Sequence, residues 1–155
     1  MTLTSDDRGT IDDLLARYAF AIDLREWDDL RDVFAKDAEI EYSGGTQCHA
    51  GIDAIVEFFR TTAGRVAATQ HLLHTALIRA TGPDTATGLT HVTAHHVAHG
   101  SSRPAPATAT YTVTGTYTDR FTRTTDGWRI AARRLDLLTC TGDTSLLDAK
   151  PNIDR

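Results

Sequence analysis

Cysteine is scarce in this chain of 155 residues, which contains two, Cys48 and Cys140. Two thiols allow one disulfide at most, and a domain of this size buries roughly 70% of its unfolded surface without cross-links. The sequence therefore predicts one domain over residues 1–155 that needs neither a disulfide nor a structural metal. We expect both cysteines to be reduced and to act as packing residues.

Positive charge is also in short supply, since 16 Lys and Arg stand against 21 Asp and Glu, giving a net charge of −5. No basic run offers the clustered positive face that nucleic acids require. The sequence has no apolar run long enough to cross a membrane. Its first ten residues, MTLTSDDRGT, lack the basic and apolar regions of a secretory signal. We therefore expect a cytoplasmic protein that binds neither nucleic acid nor membranes.

Two kinds of functional motif are missing as well. The sequence contains neither a glycine-rich phosphate-binding loop nor a Ser-His-Asp nucleophile signature. Its composition, 41% hydrophobic and 24% charged, is that of an ordinary globular domain. These features predict a protein without a cofactor, whose chemistry depends on its own side chains.

The spacing of apolar residues predicts helices in the first part of the chain and strands in the rest. Helices are predicted over 5–24, 26–35 and 52–63. Strands are predicted over 38–42, 69–81, 85–99, 107–125 and 128–139. This order indicates an α+β cone, in which a curved mixed or antiparallel sheet wraps around three N-terminal helices and encloses an apolar pocket. Residues 141–155 form a polar C-terminal tail that could cover the pocket mouth.

Five of the seven histidines lie between residues 74 and 99. On a helix, His91, His95 and His99 would share a face and could bind zinc. On a strand, four residues span about 13 Å, which is too far for one ion. The neighbouring Thr and Val residues favour the strand, so no metal site is expected. Strand alternation turns His96 inward and the other three outward.

The Gly82-Pro83-Asp84 turn predicts a hairpin with a two-residue loop. In that register His71 lies directly opposite His96, with Cβ atoms roughly 4.5–5.5 Å apart. A single β-bulge would place the two histidines on opposite faces of the sheet. Facing each other, they could do acid/base chemistry near neutral pH. The alternative is that both are hydrogen-bonded histidines of a half-buried sheet.

Two aspartates are further candidates for the site. Asp119 interrupts an apolar strand face, and the Asp126-Gly127 turn places it opposite Arg134. These two residues form either a structural ion pair or a pocket pair that binds substrate oxygen atoms. Asp23 lies near the end of the first helix, where it either caps the next helix or joins the catalytic groups.

Several segments resemble scytalone dehydratase and the wider SnoaL-like group of the nuclear transport factor 2-like superfamily. They are Ala21-Ile-Asp-Leu-Arg-Glu-Trp-Asp-Asp-Leu30, Glu41-Tyr42, Thr69-Gln-His71 and Gly88 to His96. The Gly115-x-Tyr-x-Asp119 and Asp126-Gly-Trp128 segments fit the superfamily too. The resemblance therefore covers nearly the whole chain.

This resemblance implies that Asp23, Tyr42, His71 and His96 are catalytic. The dehydratase's first tyrosine is replaced here by Ile22, and Tyr18, one helical turn earlier, is expected to supply the lost hydroxyl. That arrangement is similar to the one in bile-acid 7α-dehydratases. The side chains expected to bind substrate are Ile22, Trp27, Asp119, Phe121 and Arg134.

The residues and the resemblance together predict a cofactor-independent dehydratase that acts on a small apolar hydroxylated carbonyl compound or a polyketide-like molecule. A polyketide cyclase, an isomerase or an epoxide-opening enzyme could use the same pocket. A third class is a non-catalytic ligand-binding or dimerisation module. Proteins of the superfamily often pair through the outer sheet face, so a homodimer or homotrimer is expected, with the threonine-rich face of residues 108–124 as a candidate interface.

Overall fold

The computed structural model describes residues 2–42 and 45–147. Its three helices are α1 (Ser5–Asp23), α2 (Leu30–Val33) and α3 (Ile52–Ala63). Its six strands are β1 (Phe34–Tyr42), β2 (Gln47–Ala50), β3 (Ala68–Gly82), β4 (Thr85–Val97), β5 (Thr110–Thr124) and β6 (Gly127–Gly142). Short 3-10 turns occupy Trp27–Asp29, Ala107–Ala109 and Thr144–Leu146.

The six strands form one open mixed sheet in the order β2-β1-β6-β5-β4-β3. β1 runs parallel to β6, whereas every other neighbouring pair is antiparallel. The helices cover one face of the sheet and share a single apolar core with it. This architecture confirms the predicted α+β cone. Within the described part of the chain, no helix is both long and apolar enough to span a bilayer.

Helix α1 begins and ends with specific hydrogen bonds. Thr4 caps its start, and Asp7 bonds back to the Thr4 backbone to complete a capping box. At the other end Arg25 adopts a left-handed conformation, with φ 64°, and the Glu26 amide donates to the Ala21 carbonyl at 2.9 Å. The chain therefore turns sharply after Asp23 and leaves that carboxylate facing β3.

The second predicted helix is shorter than expected. Instead of a helix over 26–35, the chain forms a 3-10 turn and the four residues of α2, and β1 begins at Phe34 rather than at Ala38. Strand β2 was not predicted, because it is short, polar and mostly exposed. Strand β6 extends to Gly142, two residues into the predicted tail, and residues 148–155 of that tail lie outside the described residues.

The packing role predicted for the cysteines is wrong. Cys48 and Cys140 are both free thiols on exposed strand residues. Cys48 lies in the polar edge strand β2. Cys140 lies near the end of β6, where the residues that follow Leu135 are largely exposed. Neither side chain contributes to the core.

The predicted register of β3 and β4 is wrong, although His71 and His96 do lie on the same face of the sheet, as predicted. His71 pairs with Ala94, and His96 pairs with Thr69, because β3 carries an extra residue between Ala80 and Gly82 and another between Leu73 and Ala76. Each bulge shifts the register by one residue and reverses the face, so the two together restore the face. The two imidazoles therefore lie diagonally on the inner face, with ring centroids 6.3 Å apart.

The predicted pairing of Asp119 with Arg134 is also wrong. The turn closes with Thr124 opposite Gly127, one residue earlier than expected, and a bulge between the partners of Arg120 and Phe121 shifts the register again. As a result Asp119 lies opposite Arg133, which points inward. Arg134 points outward, half-exposed, and pairs with Asp136 at 3.0 Å.

Two other histidines of β4 lie on the outer face of the sheet, and His99 follows the strand. His91 is exposed, His95 bonds to Thr112 at 2.8 Å, and His99 bonds to the Gly64 carbonyl at 3.2 Å. Across residues 2–42 and 45–147, no three His, Cys, Asp or Glu residues are grouped to hold a metal ion. The threonines of β5 are half-exposed on this face, and assembly through it stays a prediction.

Gly115 is required where β5 meets the bulge of β6. A Cβ at this position would lie 2.4 Å from the backbone oxygen of Asp136, whereas a Cβ at Gly9, in the exposed part of α1, would meet nothing within 4 Å. We expect Gly115→Ala to lower the free energy of unfolding by about 1–3 kcal/mol. Gly9→Ala, the matched control, should raise it by about 0.5–1 kcal/mol. Urea unfolding of both variants measures these changes, and equal stability of the two would contradict the close approach.

Candidate active site

A cavity of about 340 Å³ lies between the helices and the inner face of the sheet, within the size range of small-molecule sites. Most of its lining is apolar or aromatic. The polar groups that reach it include Tyr18, Tyr42, His71, His96 and Tyr117. Four of the five catalytic residues expected from the sequence therefore line one cavity, and the fifth, Asp23, lies directly behind His71.

Asp23 and His71 form a dyad at the side of the cavity. Asp23 Oδ1 lies 2.7 Å from His71 Nδ1, and the second carboxylate oxygen accepts the His71 backbone amide at 2.8 Å. Both side chains are largely buried, with 14% and 9% exposed. Because an ionised carboxylate can only accept, His71 carries its proton on Nδ1 and presents the Nε2 lone pair.

Further donors hold the Asp23 carboxylate in place. Thr69 donates to Asp23 Oδ1 at 2.9 Å, and Arg25 in turn donates to the Thr69 hydroxyl at 3.1 Å. Burial raises the pKa of Asp23, but the hydrogen bonds from His71 and Thr69 outweigh it and hold that pKa below its ordinary value. The alternative role as a helix cap does not occur, since Glu26 stands at the N-cap of the next turn without a side-chain bond.

His96 differs from His71 because its Nδ1 faces a carbonyl oxygen rather than a carboxylate. Its Nδ1 lies 3.1 Å from the Tyr111 carbonyl oxygen, which can only accept, so Nδ1 carries the proton. Burial lowers the pKa of His96 to about 4. The imidazole is therefore neutral near pH 7 and offers a lone pair on Nε2.

Three tyrosine hydroxyls form a chain centred on Tyr18. The Tyr18 oxygen lies 2.9 Å from the Tyr42 oxygen and 3.1 Å from the Tyr117 oxygen. These two hydrogen bonds use two of the three hydroxyl protons, which leaves one O–H that can donate elsewhere. Burial raises the pKa of Tyr42 and Tyr117 well above the ordinary value. The group is thus a neutral donor beside the dyad.

A buried ion pair supports the tyrosines from behind. Arg133 donates to both Asp119 oxygens, at 2.7 and 2.8 Å, and neither side chain is exposed. The same guanidinium lies 4.1 Å from the Tyr18 ring centroid and 4.0 Å from that of Tyr117, which is cation–π distance. Asp119 is therefore part of a structural ion pair rather than a substrate-binding pair.

Comparison with known proteins now identifies the family. Residues 4–134 match the SnoaL-like domain, and an uncharacterized protein of Mycobacterium tuberculosis is 34% identical over 131 residues, which are 82% of each chain. The chain belongs to the SnoaL-like family.

Two solved structures share the fold of this SnoaL-like domain. One is named as a candidate scytalone dehydratase from Novosphingobium aromaticivorans, with a TM-score of 0.77 and 20% identity, covering 98% of this chain and 99% of the other. The second is the hexachlorocyclohexane dehydrochlorinase LinA-type3 from Novosphingobium barchaimii, with a TM-score of 0.75 and 16% identity, covering 88% and 90%. At these identities the likeness concerns the fold.

The substrate-binding residues predicted for the SnoaL-like domain are mostly not at the cavity. Ile22 does line it. Trp27 is half-buried beneath the Arg25 guanidinium, 5.8 Å from it, and Phe121 packs over Gly88 in the core. Asp119 is paired with Arg133 in the core, and Arg134 points outward, so neither of them lines the cavity.

Several residues of the site were missed at the level of sequence. Tyr117 was counted among the apolar residues of its strand. It lies two residues before Asp119, so the two side chains share the inward face. Arg133 was overlooked because the sequence indicates neither the exact position of the turn nor the bulge in β6. Thr69 and Arg25 carry no sequence signal, since their role depends on how α1 meets β3.

The pH dependence of stability provides a test of the environment of His96 in the SnoaL-like domain. The pKa of His96 is about 4 in the folded protein and 6.5 ordinarily. Between these values the unfolded state binds more protons than the folded state. Stability therefore falls as the pH is lowered from 6.5 to 4, by up to about 1.4 kcal/mol per pH unit. His96→Asn keeps a donor for the Tyr111 carbonyl but does not titrate, so the decline should be shallower. Urea unfolding at several pH values measures it.

The interval from pH 6.5 down to about 4 isolates this residue from the carboxylates whose pKa is lowered. The Trp128 indole is the largest of the influences that hold the pKa of Asp7 at about 2, and Asp23 also titrates below its ordinary 3.8. Their stabilising contributions are lost only under more acidic conditions. Identical slopes for wild type and His96→Asn would show that His96 is not the group responsible.

The buried ion pair is tested by removing its negative partner. Asp119→Asn leaves the Arg133 guanidinium buried without a counter-charge, so the free energy of unfolding should fall by about 3–5 kcal/mol. Asp136→Asn is the matched control, because it removes an exposed ion pair with Arg134 and should cost about 0–1 kcal/mol. Chemical denaturation compares the two, and similar losses would mean that the buried pair is dispensable.

Proposed function

We propose that this protein is a cofactor-independent dehydratase that removes water from a small, largely apolar β-hydroxy carbonyl compound. The observation that carries the proposal is the Asp23–His71 dyad, 2.7 Å between oxygen and nitrogen, beside a buried tyrosine chain in an apolar cavity. A base, an electrophilic donor and a dry pocket are the three requirements of such an elimination.

The first step is proton abstraction from the carbon next to the carbonyl. His71 Nε2 takes this proton, and the electron pair of the broken C–H bond moves toward the carbonyl oxygen. Asp23 stabilises the imidazolium that forms, because its carboxylate faces Nδ1. The base therefore becomes charged next to a fixed counter-charge rather than in apolar surroundings.

The tyrosine chain stabilises the negative charge that develops on the substrate oxygen. One hydroxyl proton among Tyr18, Tyr42 and Tyr117 is not used within the chain and is available to that oxygen. Donors fixed in a low-dielectric site contribute about 2.7–4 kcal/mol each to the lowering of a barrier. His96 Nε2 accepts a hydrogen bond from the substrate hydroxyl and so orients it, because this imidazole stays neutral.

The second step expels water. The enolate electrons form the carbon–carbon double bond while the carbon–oxygen bond breaks, and the His71 imidazolium returns its proton to the leaving hydroxyl. The proton removed from carbon leaves in the water molecule, and His71 is restored as a base. The reaction needs no oxidant, reductant or second substrate.

Known proteins of the same fold are consistent with this chemistry. The candidate scytalone dehydratase is named for loss of water, and the dehydrochlorinase for loss of hydrogen chloride. Membership of the SnoaL-like family supports a lyase or isomerase acting on a small apolar molecule. The substrate itself is inferred from the cavity.

Isomerisation is a second candidate because of the second imidazole. His71 and His96 lie on one face, with centroids 6.3 Å apart, so a proton removed from one carbon could return to another with no loss of hydroxyl. A cyclase would use the same base for ring closure. The mass of the product distinguishes these reactions, since only dehydration removes water.

The proposal is tested with 3-hydroxycyclohexanone and 4-hydroxy-2-tetralone, whose dehydration gives a conjugated enone and a fluorescent naphthol. We expect turnover by the wild type with the mass loss of one water. His71→Asn and Asp23→Asn should lower kcat by roughly 10²–10⁴-fold. His91→Asn, which makes the same change on the exposed outer face, should keep full activity.

Full activity in both dyad variants would contradict the role of the dyad. A product of unchanged mass would replace dehydration by isomerisation. Thermal unfolding of each variant should accompany the assay, so that a loss of activity is assigned only to folded protein.

A further inference from the structure

Arg65 lies at the mouth of the cavity. It follows the C-terminal end of α3, lines the cavity together with Thr62 and Leu147, and also borders a groove on the outer surface. Its guanidinium donates through Nη1 to the Leu147 carbonyl. The Arg65 side chain therefore borders the cavity on one side and the surface groove on the other.

The hydrogen bonding of Arg65 is incomplete. Its Nε is fully buried and contacts no acceptor among the described residues. The one partner of its Nη1 is a neutral backbone oxygen. A buried donor without an acceptor is uncommon in folded proteins and costs stability, so the described residues leave this guanidinium short of acceptors.

Among the described residues, the lining of the cavity holds no counter-charge for Arg65. None of the described residues that line it is Asp or Glu, so this guanidinium is the one permanent charge on the lining. Arg133, the arginine buried in the core, is neutralised by Asp119 at 2.7 Å. A cation left uncompensated at an apolar cavity is suited to an anion that arrives with the ligand.

We propose that Arg65 recognises a carboxylate on the substrate, so that the substrate class is a mainly apolar β-hydroxy carbonyl compound that also carries a carboxylate. The carboxylate binds at the mouth, where it stays partly hydrated, and the apolar body extends inward toward Tyr18 and His71. This orientation leaves the reacting carbon near the dyad and the charge away from the enolate oxygen. The inference rests on the proposed function in taking the cavity as the substrate site.

The test measures binding rather than turnover, in the Asp23→Asn background. Thermal shift and calorimetric titration compare isosteric pairs of an acid and its amide: 2-naphthoate with 2-naphthamide, and trans-cinnamate with cinnamamide. We expect the acids to bind more tightly than their amides, and Arg65→Gln to weaken the acids by about tenfold or more while leaving the amides unchanged. Arg65→Lys, which keeps the charge, should retain part of the preference.

Arg60→Gln is the matched control, because it removes the same charge from α3 at an exposed pair with Glu57 and should leave the preference intact. The inference is overturned if neither acid stabilises the protein more than its amide does, or if Arg65→Gln keeps the preference for acids. The binding measurement uses the Asp23→Asn variant, which is inactive under the proposed mechanism, so it does not depend on turnover. The dehydratase proposal and the carboxylate-binding proposal can therefore fail independently of each other.

Discussion

The buried ion pair of Arg133 and Asp119 joins the parts of the fold on which the site depends. Its members come from β6 and β5, and the guanidinium also stacks between the ring of Tyr18 on α1 and that of Tyr117. Desolvating two charges is costly, and the loss of either partner leaves an uncompensated charge in the core. The pair therefore fixes one position of the helix relative to the sheet, and the tyrosine hydroxyls are aligned as a result.

A second constraint is the way α1 ends. Glycine commonly follows a helix in the left-handed conformation, yet this chain places Arg25 there, at a cost of roughly 1–2 kcal/mol. The guanidinium offsets this strain by donating to the Ile22 carbonyl and the Thr69 hydroxyl. Since Thr69 also donates to Asp23, the helix end, strand β3 and the carboxylate form one hydrogen-bonded unit. Glycine would allow the same turn but could not attach it to the strand.

Local periodicity predicts the helices, the long strands and the inward face of β4, because each depends on neighbouring residues alone. The register between strands depends on bulges, which leave no distinct pattern in the sequence. Two bulges in β3 keep His71 and His96 on one face but move them out of direct opposition. The earlier turn and a bulge in β6 together place Arg133 opposite Asp119. The role proposed for Arg65 depends on which described residues line the folded cavity, and the sequence alone gives no sign of it.

The two imidazoles of the cavity are identical groups in opposite environments. His71 Nδ1 faces the Asp23 carboxylate at 2.7 Å, whereas His96 Nδ1 faces the neutral Tyr111 carbonyl and burial lowers the pKa of His96 to about 4. Two imidazoles of equal basicity at 6.3 Å would repel each other as soon as both were protonated. The contrast between the two environments gives His71 a fixed counter-charge for the proton that it takes up. That asymmetry favours His71 as the group that moves the proton and His96 as the neutral acceptor that orients the hydroxyl.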